Sequence, residues 1–152
     1  MATWGEFARV APVLAAEGRR LFYQYGVGLG FLATVRADGG PRLHPMCPVI
    51  DEGGLYAFIV PSPKRDDLRR DGRYAMHAFT PEQVDDEFYV TGRARVVTDS
   101  VRRAALKAAY HAPVPDDHEL FEFEIQQCML AKYERRGQWP PAYTKWADGA
   151  SS

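Results

Sequence analysis

The sequence predicts a mainly β fold of the α+β type: an antiparallel meander curled into a barrel, with an N-terminal helix and two short inserted helices. Three observations carry this. Strand-like runs follow one another, "LGFLATVR", "PRLHPMCPVI" and "LYAFIV", with only "ADGG" and "DEGG" between them. Such Gly-rich turns suit hairpins, whereas a parallel sheet needs long crossovers. Helical periodicity is confined to the segment ending near Tyr25 and to two short stretches further on. Finally, 152 residues with 46% hydrophobic and 26% charged side chains describe one soluble domain, residues 1–152, able to bury its own core.

Each element has a local reason. Thr3-Trp4-Gly5-Glu6 has the capping-box form, and Trp4, Phe7, Val10, Leu14, Leu21 and Tyr25 recur at helical spacing, so one amphipathic helix is expected to reach about Tyr25. "GVGLG", Gly26 to Gly30, follows that helix instead of opening one, so it reads as a helix stop and not as a dinucleotide fingerprint. After the three strands, "PSPKRDDLRRDG" is a short charged helix and "RYAMHAF" a fourth strand. "DEFYVTGRARVV" is a long fifth strand whose Gly92 suggests a bulge. "DSVRRAALKAAYH" is a helix capped by Asp99 or Ser100, closed off by "APVPDD". The last strand is "HELFEFEIQQCMLAKYE", with Glu119, Glu122 and Glu124 as the solvated side of an edge. The tail "RRGQWPPAYTKWADGASS" is expected to be irregular.

A formal net charge of -1 gives no global footprint for nucleic acid, although a local cluster could still hold a small anion. Cys47 and Cys128 lie in apolar, strand-like surroundings with no zinc spacing, and are expected to be two small core residues. No signal peptide or membrane-length apolar run is visible, so a cytoplasmic protein is expected.

The residues that invite chemistry lie in two places. In the second strand, alternation puts Arg42, His44 and Met46 on one face and Leu43, Pro45 and Cys47 on the other, and the prolines mark an edge or a bulge. That Arg and His either point to solvent or line an anionic pocket. After the third strand, Ser62 is a good N-cap and Pro63 a pre-shaped first helical residue, which alone explains a helix start. It does not explain Lys64 and Arg65, cations set at the positive end of the helix dipole. A bound phosphate would resolve that conflict; Asp66 and Asp67 would relieve part of it. His111 and His118 read as exposed loop histidines and His77 as a strand residue, while His44 is kept because it shares the face of Arg42.

Taken in order, "DGGPRLHPM", "GGLYAFIVPSPKRDDLRRDGRYAM" and "FYVTGRARVV" resemble the FMN-binding split β-barrel family that includes pyridoxamine 5'-phosphate oxidase, from about Leu29 to Val97. The resemblance implies an antiparallel split β-barrel and a flavin-dependent oxidoreductase acting on a small molecule. It implies that Arg42, Ser62 and Lys64 clamp the FMN phosphate, with Leu43, His44, Pro45, Phe58 and Ile59 lying along the flavin. It further implies a homodimer with flavin between two barrels, and a C-terminal tryptophan, Trp139 or else Trp146, reaching the partner's cofactor. The chain departs from the oxidase in lacking the Arg- and His-rich C-terminal segment that grips substrate phosphate. Pro63 also replaces a second basic residue within the Ser-x-Lys. Relatives of this fold imply two alternatives: an F420-dependent reductase, suited to an Arg- and Ala-rich, Lys-poor composition, or a non-catalytic flavin- or haem-binding protein, in which His44 would be the haem ligand.

Overall fold

Local signals form the hairpins of this chain, and distant pairings decide where they lie. The computed structural model describes residues 1–51 and 53–149. Thr3 closes its capping box with Glu6 and starts α1 (Trp4–Val10), but α1 is not the long helix the periodicity predicts. Pro12 has no N–H to donate and its ring would strike the preceding turn, so the chain breaks at Ala11 and restarts as α2 (Pro12–Phe22). Both helices lay Trp4, Phe7, Leu14, Leu21 and Phe22 on the sheet.

The first hairpin joins β1 (Gly30–Val35) to β2 (Pro41–Met46). Gly39 takes φ 83 in its turn, and Asp38 accepts from the Gly40 amide. The predicted long second strand divides at Cys47-Pro48, and its remainder, β3 (Val49–Asp51), pairs with β4 (Gly54–Ile59). Residue 52 of that second turn lies outside the described residues. Then come β5 (Arg73–Ala78), β6 (Glu87–Val96) and β7 (Glu119–Lys132), with α3 (Pro63–Arg70) before β5 and α4 (Ser100–Ala109) before β7. The order across the sheet is β2-β1-β5-β6-β7-β4-β3, antiparallel throughout. The expected simple meander is therefore corrected: β2 and β3, consecutive in the chain, lie at opposite ends of that order, and β4 lies beside β3. The fold class stands as a curled antiparallel sheet carrying four helices.

The register of β6 on β7 shifts between Thr91 and Gly92, the expected bulge. A Cβ on Gly92 would sit 1.9 Å from the Glu124 carbonyl oxygen, so only glycine lets the strands close there. The tail is not wholly irregular, since β8 (Ala142–Ala147) pairs with β7.

That pairing makes β7 an interior strand, flanked by β4, β6 and β8, which corrects the reading of its glutamates as a solvated edge. Glu122 is buried and holds Arg95 at 3.1 Å and Arg102 of α4 at 3.6 Å. The main core fills the concave side of the sheet with Leu32, Met76, Phe88, Val90, Phe123 and Ile125. Every residue of β4 is buried because α4 covers its other face: Tyr56 and Phe58 meet Leu106, Val114 and Leu120 in a second cluster. Fully burying a side chain of this size contributes about 1.5–3 kcal/mol, enough to dock a short helix against the sheet. Among the described residues no helix is long and apolar enough to cross a membrane.

Candidate functional site

The site is organised by α3, whose two flanks use their charges differently. Ser62 is extended (φ -169, ψ 160) and caps the helix: its hydroxyl accepts from the Arg65 amide at 3.4 Å and donates to the Val60 carbonyl at 2.8 Å. Pro63 follows as the first helical residue. So far a helix has simply begun.

On one flank lies Asp67, 2% exposed. It accepts from Thr34 at 2.8 Å, from Arg42 Nε at 2.7 Å and from Arg70 at 3.0 Å. Burial pushes its carboxyl up, but the hydrogen bonds from Arg42, Thr34 and Arg70 outweigh burial and hold it below the usual carboxylate range. Arg42 therefore faces the same side as Thr34, its register partner on β1, and its Nε is committed to a buried aspartate. A shallow, polar depression lined by Arg36, Arg42, Pro63, Asp66 and Arg70 lies above this network.

On the other flank lies a cavity of about 200 Å³. Pro45, Met46 and Cys47 form one wall, Phe58, Ile59 and Val60 another, Lys64 stands at its α3 side, and Tyr110, Pro113, Val114 and His118 close it. Lys64 is half-buried and makes no hydrogen bond or ion pair with any described residue. Burial, followed by the neighbouring Cys47, pushes the Tyr110 hydroxyl up to about 12, so it stays protonated at neutral pH. The ring of Tyr110 stands edge-on to Phe58 at 5.5 Å.

The structure thus brings Pro45, Phe58, Ile59 and Lys64 into one cavity, with Ser62 at the start of the adjoining helix. Arg42 sits across Pro63, in the neighbouring depression. Leu43 and His44 lie exposed on the edge strand β2, paired with Ala33 and Leu32. Trp139 is 73% exposed in a segment held near Asp85 by the Gly137 amide and Arg136, while Trp146 packs on Phe7 at 5.0 Å inside β8. Sequence reasoning missed Tyr110, Pro113, Val114 and His118, which reach the cavity only because α4 folds back over β4. The single hint was Val114, an apolar residue within a polar, proline-rich loop. His118 is corrected from an exposed loop residue to a half-buried wall residue. Cys128 is in the core, and burial pushes its thiol up to about 12. Cys47 is only half-buried and faces this cavity, and both thiols are free. No group of metal-ligating side chains occurs among the described residues.

A larger hollow, about 640 Å³, lies on the outer face of β6, β7 and β8, walled by Tyr89, Gln127, Met129, Tyr143 and Lys145. It continues an outer sheet surface on which Leu43 is 65% and Phe31 39% exposed.

A curled antiparallel sheet, with a Ser-capped helix placed beside a small cavity after its fourth strand, defines the split-barrel class. The chain belongs to the pyridoxamine 5'-phosphate oxidase family, whose model matches residues 22–131. No curated protein matches it. Among solved structures it is similar to a haem-binding protein from Mycobacterium smegmatis, with 15% identity, a TM-score of 0.62 and 85% of this chain covered. This chain spans only 57% of that protein's length. It is also similar to HutZ, the haem storage protein from Vibrio cholerae, with 16% identity, a TM-score of 0.60, and 74% of this chain and 90% of that one covered. An F420 reductase matches with 23% identity, a TM-score of 0.54, and 66% and 87% covered. These likenesses establish the fold. Two of these neighbours are named for haem and the third for F420.

Proposed function

We propose that this chain is an FMN-dependent oxidoreductase acting on a small molecule, and that its cofactor phosphate binds at the start of α3 against Lys64. The observation that carries the reading is Lys64 itself, a half-buried cation with no partner among the described residues, set in the first helical turn beside the cavity. A cation is unfavourable at the positive end of a helix unless an anion joins it there. Ser62 shapes that turn by capping it. The walls suit a flat ring: Pro45 and Val60 supply apolar surface, and β2 offers an edge backbone.

At about 200 Å³ the cavity is smaller than the roughly 300–1,000 Å³ typical of cofactor sites. One chain supplies part of the wall, and a second copy would supply the rest. The exposed apolar surface of Leu43, Phe31 and the hollow beside Tyr89 is the face such a copy would cover. Large as it is, that hollow has no helix N-terminus and a single cation, Lys145, among its lining residues, so we assign it to dimer contact and not to the cofactor. In the dimer the exposed Trp139 would be free to reach across to the partner's site.

When bound, FMN supplies the electron and hydride transfer. The chain's own residues would bind and orient it: Lys64 neutralises phosphate, Ser62 holds the turn, Pro45 and Val60 wall the ring, and Tyr110 keeps its proton at the cavity wall. F420 is the alternative cofactor, since its phosphate would suit the same cation and a reductase of that type shares the fold. Haem would bypass Lys64 and use the exposed His44 instead. Lys64→Ala tests the proposal: FMN binding, followed by quenching of flavin fluorescence, is expected to fall by at least about tenfold while the fold is kept. Retention of full FMN affinity would contradict it.

A further inference from the structure

Four arginines from four different parts of the chain line one hollow, at the end of α3 away from Ser62. The hollow, about 520 Å³, is walled by Arg36 of the β1–β2 turn, Arg70 at the end of α3, Arg73 of β5 and Arg93 of β6. Asp71 is the single carboxylate in its lining. All four arginines are exposed, so a ligand can approach them from solvent.

Local structure sets them together. The Gly72 carbonyl accepts from the Ala94 amide at 2.7 Å, and a Cβ on Gly72 would sit 2.5 Å from the Ala94 carbonyl oxygen. Glycine thus lets the chain leaving α3 lie against β6. β5 then starts with Arg73 directly opposite Arg93, on the same face of the sheet. Like charges placed opposite one another are unfavourable, and an anion between them removes the conflict.

The protein's own anions answer only part of this charge. Asp71 accepts from Arg73 through both carboxylate oxygens, and that bond leads in holding its carboxyl down at about 2. Arg70 is committed to the buried Asp67 and to the Val35 carbonyl. Arg36 reaches only Asp38, at 3.5 Å with both side chains exposed. The Arg93 side chain makes no ion pair or hydrogen bond with any described residue. Its register partner on β7, Glu124, is taken by Arg95 at 3.2 Å. Two forks therefore stand free, Arg93 on β6 and Arg36 beyond β1, with β5 between them. Two strand spacings separate them, about 10 Å.

We infer that Arg36, Arg73 and Arg93 form an oxyanion site for a small ligand of the diphosphate class. One phosphate group goes to Arg93 and Arg73, and the next to Arg36. A guanidinium fork matches a phosphate bidentately, and two free forks set apart call for two linked anionic groups. The ligand is compact, because Asp38 and Asp66 line the adjoining depression and would repel a long polyanion. This hollow shares no lining residue with the Lys64 cavity, so the site stands whether or not the cofactor reading holds.

The test is side-chain NMR of protein labelled at arginine Nε, titrated at constant ionic strength with inorganic pyrophosphate, phosphate and sulfate. Wild type and Lys64→Ala are titrated in parallel, to separate this site from the Lys64 cavity. Saturable shifts of Arg73 and Arg93 are expected in both, with pyrophosphate binding about tenfold tighter than phosphate or sulfate. Arg93→Gln is expected to lose about tenfold in pyrophosphate affinity. Without ligand it should be at least as stable as wild type, since the like-charged pair is gone. Arg9→Gln, which removes an exposed arginine of α1 outside the hollow, should keep the affinity. Shifts that do not saturate, sulfate binding as tightly as pyrophosphate, or unchanged affinity in Arg93→Gln would overturn the inference. So would an equal loss in Arg9→Gln, which would mark a general attraction to surface charge.

Discussion

The two flanks of α3 carry the same kinds of residue and do opposite things with them. On the Asp67 flank, Arg42, Arg70 and Thr34 all converge on one buried carboxylate, so the donors facing it have an acceptor. On the Lys64 flank, Lys64 faces a cavity and has no carboxylate partner among the described residues. The difference teaches that a basic residue in this helix cannot be assigned to structure or to ligand by its identity. What decides is whether the fold has already given it a counter-charge. Arg42, which the family resemblance places with Lys64 in a phosphate clamp, has first to hold α3 to β1 and β2 through Asp67.

Breaking the Asp67 flank should give the largest effect. Asp67→Ala leaves Arg42 and Arg70 without their shared acceptor in a partly buried place, and is expected to cost about 3–5 kcal/mol in urea unfolding. Arg42→Ala should destabilise through the same network, and a double-mutant cycle of the two should show strong coupling. Independent, additive losses would mean that the network is not a unit.

The same comparison can be sharpened by pH. The folded-state pKa of Asp67 is depressed, so its contribution is fully present above the ordinary carboxylate range and is lost as pH falls through its lowered value. Acid unfolding of wild type should therefore steepen below the ordinary carboxylate pKa, and Asp67→Asn should flatten that part of the curve. An unchanged acid limb in Asp67→Asn would show that the carboxylate is not stabilised as described.

On the Lys64 flank the expected pattern is reversed. Lys64→Ala should leave the urea midpoint nearly unchanged, since a surface-reaching cation without a partner contributes little to the fold. Its effect should appear in cofactor binding alone. The smallest effect belongs to Ser62→Ala, which removes an N-cap and should cost about 1 kcal/mol, with a modest loss of cofactor affinity as the turn loosens. A Ser62→Ala protein as stable as wild type would mean that the long 3.4 Å cap contributes nothing.

Much of the scaffold was legible in the sequence because its signals are local. The Thr3 and Asp99 caps, both hairpin turns and the Gly92 bulge each depend on a few adjacent residues. What was not legible depends on residues far apart in the chain. The separation of β2 from β4 follows from β1 pairing with β5 and β4 with β7, pairings that no turn specifies. Glu122 looked solvated because alternation reports a face and not what covers it, and α4 covers it here. In the site, Ser62 and Lys64 were visible as a helix start with a misplaced charge. Asp67 looked like partial charge relief, and the sequence gives no sign that Thr34 and Arg42 meet it. Tyr110 and His118 close the cavity from a segment forty or more residues beyond α3 in the chain, by a contact made only when α4 has folded back over β4.

The most direct measurement is equilibrium titration of the purified wild-type, Lys64→Ala and Asp67→Asn proteins with FMN, F420 and haem in turn, read by absorption and fluorescence. If the Lys64 flank is the ligand-facing one, wild type binds FMN, or failing that F420, in saturable fashion. Lys64→Ala then loses that binding at unchanged stability, and Asp67→Asn loses stability while its folded fraction still binds. Binding that survives Lys64→Ala intact, or haem binding in place of both flavins, would contradict the assignment and return Ser62 and Pro63 to the simple role of starting a helix.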